Sequence, residues 1–375
     1  MKTKTLESVP SVNRSAAVIT SVNEKAVQDV GGTSIFFSPH TKDVNGIINC
    51  LEKASVLGLK GVEIDYEFAH PIKAWGPAGI CKRSDEELAK IRETVDKLGL
   101  ELSVHSPCVA IPSKEGATFD AADLTVRPDA YREVYEAAKK VGADYVVVHL
   151  TYTDGSLNKH LKELLGSTEG NVAIAIENSY VPGHSPDKKF QHPGAPFGES
   201  KKYHTTDYLD MVRSWFQDPE LRDCITKGRL ALNPDIAHYV LGFTMPLLAG
   251  MGGTDAVKSD SVKKEMFELQ ARKIGAEKPL EMLNEIEKIA KENGVPLGLL
   301  VRGVHMAQTN GYYDGHIAFD KDEGVVKFAP PGQPPEPTAR AIISIPEVTK
   351  WLEARNLRGI VEQNRGGDLK EGSFF

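Results

Sequence analysis

One cassette recurs along this chain: an amphipathic segment, a Gly or Asn stop, a short turn, then an apolar run that closes on an imidazole or a carboxylate. LGLKGVEIDY leads into a strand candidate at 62–66, DKLGLELSVH closes on His105, KKVGADYVVVH on His149, ENGVPLGLLVRGVH on His305, and EARNLRGIVEQ puts Glu362 at its end. Gly and Asn stop helices because they accept the left-handed backbone of a C-terminal cap, and a short apolar run after such a stop is a strand signal. Two further runs, NVAIAIEN (171–178) and RLALNPD (229–235), end at Glu177 and Asp235, and TSIFFS (33–38) precedes the series. The strand candidates are therefore 33–38, 62–66, 101–105, 144–149, 172–177, 229–235, 299–305 and 358–362. Helical stretches such as Asp85–Lys97, Ala130–Val141, Leu157–Leu165 and Ile345–Ala354 separate most of them. Apolar strands alternating with helices form a parallel sheet covered on both sides. Eight such units in 375 residues favour an α/β fold of the (β/α)8 TIM-barrel type. A doubly wound open sheet is the competing architecture; it would more often carry a Gly-rich phosphate loop after the first strand, where this chain has SIFFSPHTKD.

Residues 1–30 are polar, without sustained periodicity, and are expected to form a tail or arm; 31–375 are expected to form a single barrel. Three segments exceed a minimal barrel, at about 179–206, 239–280 (with a helical Ser259–Lys273) and 318–342. Each follows a strand, so each belongs to the strand-to-helix face, where barrel enzymes keep their active sites and where long loops would roof a pocket.

The balance of 45 Lys and Arg against 52 Asp and Glu, a net charge of −7, provides no electrostatic footprint for nucleic acid. No basic stretch interleaved with aromatics marks a single-strand groove. The cysteines, Cys50, Cys81, Cys108 and Cys224, show no CxxC or paired spacing and are expected as free thiols in a reducing compartment. The first residues lack the apolar core of a signal peptide, and the most apolar segment, Tyr239 to Gly253, is short and rich in Gly and Pro. The expectation is a cytoplasmic protein with no membrane partner.

The strand ends carry the chemistry. In chain order they supply His105, His149, Glu177, Asp235 with His238 three residues on, His305, Asp314 with His316 two residues on, and Glu362. All are nitrogen or oxygen ligands, a donor set suited to Zn²⁺, Mn²⁺ or Fe²⁺. Nine such side chains exceed the four to six that one ion takes, and a central carboxylate such as Glu177 can bridge two ions. Singly, a strand-end histidine is more often a hydrogen-bonded structural residue. Jointly, so many acids and imidazoles on one rim would repel and stay desolvated without a cation. Glu63, Asp65, Trp75, Arg302, Tyr312, Tyr313 and Arg365 are further pocket candidates near strand ends or in rim loops.

The motifs SVHSP, VVVHL, AIENS, PDIAH, GVHMA, YDGH and IVEQN, in this order, resemble those of the xylose isomerase-like TIM-barrel superfamily, and within it the endonuclease IV family, over roughly 33–365. The resemblance implies a trinuclear zinc site. One ion would take His105, His149 and Glu177; a second Glu177, Asp235, His305 and Glu362; a third His238, Asp314 and His316. It also implies hydrolysis of a phosphodiester beside an abasic sugar, with Glu177 and Glu362 as the carboxylates at the reaction. Cys108 stands where that family has a tyrosine that helps read DNA, and the roofing segments would obstruct a duplex, so the metal site transfers better than the DNA substrate. A smaller phosphoester is the alternative partner. A second reading within the superfamily is a sugar isomerase, epimerase or lyase with one metal on Glu177, Asp235, His305 and Glu362, moving a proton beside a carbonyl. A third is a non-catalytic barrel that binds a small molecule or partner chain.

Overall fold

The computed structural model describes residues 35–37, 44–56, 58–67, 78–106, 111–112, 118–119, 128–150, 157–168, 170–178, 205–307, 309, 311–312, 325–326, 339–340 and 342–361. Among them, eight strands form one parallel sheet: β1 (Ile35–Phe37), β2 (Gly61–Glu67), β3 (Glu101–His105), β4 (Tyr145–Leu150), β5 (Ala173–Asn178), β6 (Leu230–Leu232), β7 (Val304–Met306) and β8 (Gly359–Val361). Their spatial order is β7-β8-β1-β2-β3-β4-β5-β6. Parallel bridges Leu232↔Val301 and Asp235↔His305 join the last strand to the first, and the sheet closes into the expected α/β barrel.

Helices intervene as α1 (Val44–Val56), α2 (Asp85–Leu98), α3 (Pro128–Val141), α4 (Leu157–Ser167), α5 (Thr205–Gln217), α6 (Pro219–Thr226), α7 (Ile236–Gly250), α8 (Thr254–Lys258), α9 (Ser261–Glu292), α10 (Leu297–Leu300) and α11 (Ile345–Glu353). Local chemistry sets their ends. Ser84 caps α2 in a reciprocal box with Glu87, and Gly99 closes that helix in the left-handed conformation, φ 62°. Between these ends Leu88, Ile91 and Val95 lie on one buried stripe.

Along each strand the side chains alternate with period two, and the two faces differ in kind. Val62, Ile64, Leu102, Val104, Val146, Val148, Ile174 and Ile176 point outward into the large apolar layer shared with the helices. The inward face holds a separate, smaller cluster of Tyr145, Val147, Ala173, Ala175, Ala231 and Ile360. One step further along the same inward rows come Ser103 and His105, His149, Glu177, Asn233 and Asp235, all but His149 fully buried. The inward rows thus pass from mainly apolar to polar toward the C-terminal ends of the strands.

Two expectations need correction. The strand expected over 299–305 is shorter, because Pro296 starts a helical turn: the Leu299 and Leu300 amides donate to its carbonyl at 2.9 and 3.2 Å, and β7 begins only at Val304. Arg302 therefore enters ahead of β7, donating to the Gly228 carbonyl at 3.0 Å before β6, and is no rim residue. The helix expected over Ser259–Lys273 runs for 32 residues, to Glu292, and the apolar segment from Tyr239 belongs to a second helix, α7. At 1.5 Å per residue α9 is about 48 Å long, more than the barrel wall needs. Its first half packs with α7 on the segments after β7: Phe267 meets Tyr312 with ring centroids 4.5 Å apart, and Gly311 abuts Ala271 and Thr244. Tyr312 is buried there as a packing residue. Most of 179–206 and 318–342, and all of 1–30, lie outside the described residues.

Two helical glycines test this packing. A Cβ on Gly275 of α9 would come 2.3 Å from the Ile342 carbonyl oxygen, whereas one on Gly166 of α4 meets nothing within 4 Å. Gly166→Ala is expected to stabilise by about 0.5–1 kcal/mol through backbone entropy. Gly275→Ala gains the same term but must shift backbone, and is expected to destabilise by about 1–3 kcal/mol net. Denaturant unfolding of both variants reads the two signs.

Candidate metal centre

The register of the sheet brings the polar side chains to one level. Asp65 on β2 is the partner of His105 on β3, His149 on β4 of Glu177 on β5, and Asp235 after β6 of His305 on β7. Because i and i+2 share a face, Glu63 lies one layer beneath Asp65, level with Ser103.

Glu177 is at the centre. Its Oε2 lies 3.3 Å from His105 Nε2, 3.0 Å from His149 Nε2 and 3.1 Å from His305 Nδ1, while its Oε1 lies 3.2 Å from His238 Nδ1. The rings pack around it: His105 stacks on His305 at 5.4 Å and meets His149 edge-on at 4.9 Å. Among the described residues, the ion-pair partners of Glu177 are these four histidines. Burial alone would raise its carboxyl pKa, but the imidazoles of His149 and His305, with the His105 contact, outweigh burial and hold it well below the usual carboxylate range.

Asp235 does two jobs. Its Oδ1 accepts from the His238 amide at 2.7 Å, which caps α7 and fixes His238 on the first turn of that helix. Its Oδ2 lies 3.9 Å from His238 Nδ1 and 4.0 Å from His305 Nδ1. Asn178, the residue after Glu177, locks this turn to β5. Its side chain donates to the Asp235 carbonyl at 2.9 Å and accepts from the Asp235 amide at 2.8 Å, and its own carbonyl accepts from His238 Nδ1 at 2.9 Å.

The donor set fits divalent cations. Adjacent donors bound at about 2.0–2.1 Å are separated by roughly 2.9 Å at right angles and roughly 3.3 Å at tetrahedral angles. The three approaches on Glu177 Oε2, 3.0–3.3 Å, fall in this interval, while His238 Nδ1 already donates to the Asn178 carbonyl. Two of the converging atoms, Glu177 Oε1 and His149 Nε2, are buried and make no hydrogen bond among the described residues, despite this proximity. Buried polar atoms left without a hydrogen bond can be satisfied by a bound cation. Three overlapping triads have the spacing to hold an ion: His105, His149 and Glu177; Glu177, Asp235 and His238; and Glu63, His105 and His305.

Six of the nine strand-end residues singled out in the sequence, His105, His149, Glu177, Asp235, His238 and His305, thus come together. Asp314, His316 and Glu362 lie outside the described residues, as do Trp75, Tyr313 and Arg365. Glu63 and Asp65 are buried at the site, and Asn178 was not singled out as a functional residue. The signal for the first two was present in GVEIDY: two acids at i and i+2 in an otherwise apolar strand share the inward face.

No protein-family model and no curated protein matches the chain. Solved structures do, at low identity. Endonuclease IV from Thermus thermophilus is 18% identical, with 89% of this chain and 93% of that chain covered and a TM-score of 0.46. A xylose isomerase domain protein from Planctomyces limnophilus is 13% identical, with 88% and 89% covered and a TM-score of 0.39. D-psicose 3-epimerase from Clostridium cellulolyticum is 12% identical, with 90% and 87% covered and a TM-score of 0.41. Each likeness is one of fold.

Proposed function

We propose that this protein is a metal-dependent hydrolase of phosphoesters, with a multinuclear site built around Glu177. The observation that carries the reading is the division of labour between the two Glu177 oxygens. Oε2 faces His105, His149 and His305, while Oε1 is buried and makes no hydrogen bond among the described residues, so each oxygen can serve a different ion. The proposed ligand sets are His105, His149 and Glu177; Glu177, Asp235, His305 and Glu362; and His238, Asp314 and His316. Nitrogen and oxygen donors make Zn²⁺ the first choice, with Mn²⁺ or Fe²⁺ as alternatives. When bound, the ions supply Lewis-acid activation of water and neutralise charge on phosphoryl oxygens.

The chain's own residues do the rest. His105 Nδ1 lies 2.7 Å from the Ser106 carbonyl, which orients its ring, and Asn178 holds His238 and the backbone of Asp235. Glu177 and Glu362 are the carboxylates assigned to the reacting atoms, where a carboxylate can accept the proton of an attacking water. The cluster is deep: of its six described members His149 is the most open, at 13% side-chain exposure against 4% or less for the ion-paired others. That depth favours a small or protruding phosphoester over the interior of a duplex. No helix among the described residues is long and apolar enough to cross a membrane.

A second reading, isomerisation or epimerisation of a small sugar at one ion, is favoured by one observation. His305 Nδ1 lies 3.1 Å from Glu177 Oε2 and 4.0 Å from Asp235 Oδ2, so one histidine and two carboxylates already converge without the others. Counting ions decides. Elemental mass spectrometry of the purified protein is expected to find up to three divalent ions per chain, fewer in both His105→Ala and His316→Ala. One ion, unchanged in both variants, would transfer the assignment to the sugar reading and the screen to keto-sugars.

Two further outcomes are expected. Glu177→Ala should lower kcat/KM on abasic-site DNA or a small phosphodiester by about 10³-fold or more, since it removes the shared ligand; activity within tenfold of the parent sinks the assignment. Adding Zn²⁺ to chelator-stripped protein at 100 times its Kd should stabilise the fold by about 2.7 kcal/mol, read as a rise in Tm.

A further inference from the structure

Glu63 is one of two buried acids, with Asp65, that this mechanism leaves without a task. It is fully buried one layer beneath the rim, and both of its oxygens are engaged. Ser103 Oγ donates to Oε2 at 2.8 Å, and His305 Nε2 lies 2.8 Å from Oε1. Ser103 donates to this carboxylate, and Glu63 Oε1 is placed to accept a hydrogen from the ring nitrogen Nε2. With the Nε2 hydrogen directed at Glu63, Nδ1 is the nitrogen left to serve a metal ion. Nδ1 is the nitrogen that faces Glu177 and Asp235.

His105 is set the other way round. Its Nδ1 lies 2.7 Å from the Ser106 carbonyl, an acceptor only, so Nδ1 is the protonated nitrogen and Nε2 is aimed at Glu177. The two stacked rings, 18° from parallel, therefore point opposite nitrogens at the same carboxylate. A main-chain carbonyl orients one; a buried acid from a strand 242 residues away in sequence orients the other.

We propose that Glu63 is a positioning residue for the metal centre, holding His305 in the Nε2–H tautomer so that Nδ1 is delivered as a ligand, with Ser103 fixing the carboxylate. This deepens the metal reading above and rests on it. A carboxylate behind a ligating imidazole raises the basicity of the ligand nitrogen and fixes the plane of its ring, and loss of such a partner typically costs about 10–100-fold in metal affinity. Glu63 touches neither substrate nor metal in this role. It could instead ligate directly, since its spacing to His105 and His305 suits an ion. The engagement of each of its oxygens by a protein hydrogen bond argues for the positioning role.

The test uses Co²⁺ as the probe, titrated into the chelator-stripped full chain and followed by its visible absorption. Glu63→Ala is expected to weaken binding of one ion by about 10–100-fold while leaving the number bound at saturation unchanged. Glu63→Gln, whose amide oxygen still accepts from Nε2–H, is expected to recover affinity to within a few-fold. Wild-type affinity in Glu63→Ala overturns the proposal, as does loss of a whole ion at saturation, which would make Glu63 a ligand. A second measurement needs no variant of Glu63. Two-bond ¹⁵N–¹H correlations of the imidazoles in the metal-free protein, with the His305 signal assigned by its absence in His305→Asn, are expected to show Nε2–H. Nδ1–H without Nε2–H there overturns the proposal even if Glu63→Ala fails to fold. Should wild-type protein take up no Co²⁺, the metal reading itself fails, whereas the tautomer still reports on the Glu63 contact.

Discussion

A carboxylate enclosed by imidazoles is the constraint on which the rest of this structure turns. Glu177 is buried to 1% exposure, and water cannot solvate it. Its charge must be balanced by what the barrel brings to it, and the barrel brings histidines from β3, β4, β7 and the first turn of α7. An isolated buried carboxylate would take up a proton instead. Here the imidazoles of His149 and His305 outweigh burial and hold the carboxyl well below the usual carboxylate range. That is a costly arrangement for a merely structural core and a productive one for gathering cations.

Placing those groups needs no special backbone. The parallel register pairs Asp65 with His105, His149 with Glu177 and Asp235 with His305. It steps by two residues between β3 and β4, where His105 pairs with Val147, and period-two alternation sorts side chains between a helix-facing and an interior row. The outward rows are nearly uniform in Val, Ile and Leu, which glue strand to helix. The inward rows change character with height, from Ala, Val and Tyr to Ser, Glu, Asp and His. Barrel packing and site chemistry therefore occupy different levels of one column.

Much of this was legible in the residues. The cassette of stop, turn and apolar run located the strands, and the ligand types at their ends located the rim. What escaped was finer than the hydrophobic pattern. LLV before Arg302 has strand composition, yet Pro296 pre-sets a helical turn and Arg302 falls at the opposite end of β7 from the site. Glu63 and Ser103 pair only because β2 and β3 are in that register, which no local window contains. Asn178 looks like an ordinary strand-end residue until its amide is seen gripping the backbone of Asp235, 57 residues later. Long-range hydrogen bonds of this kind depend on topology, and topology is what a linear pattern encodes least.

The seam between β6 and β7 has one more implication. Elsewhere the barrel wall is laddered strand to strand, but here it is joined by two isolated bridges, and one of them is Asp235↔His305. The same pair lines the proposed site, so the last stitch of the barrel and the completion of its chemistry coincide. Ions that draw these two side chains together would act as a rivet across the joint. Opening the joint would in turn pull the donors apart, making cation release a form of local unfolding rather than a simple exit through the mouth.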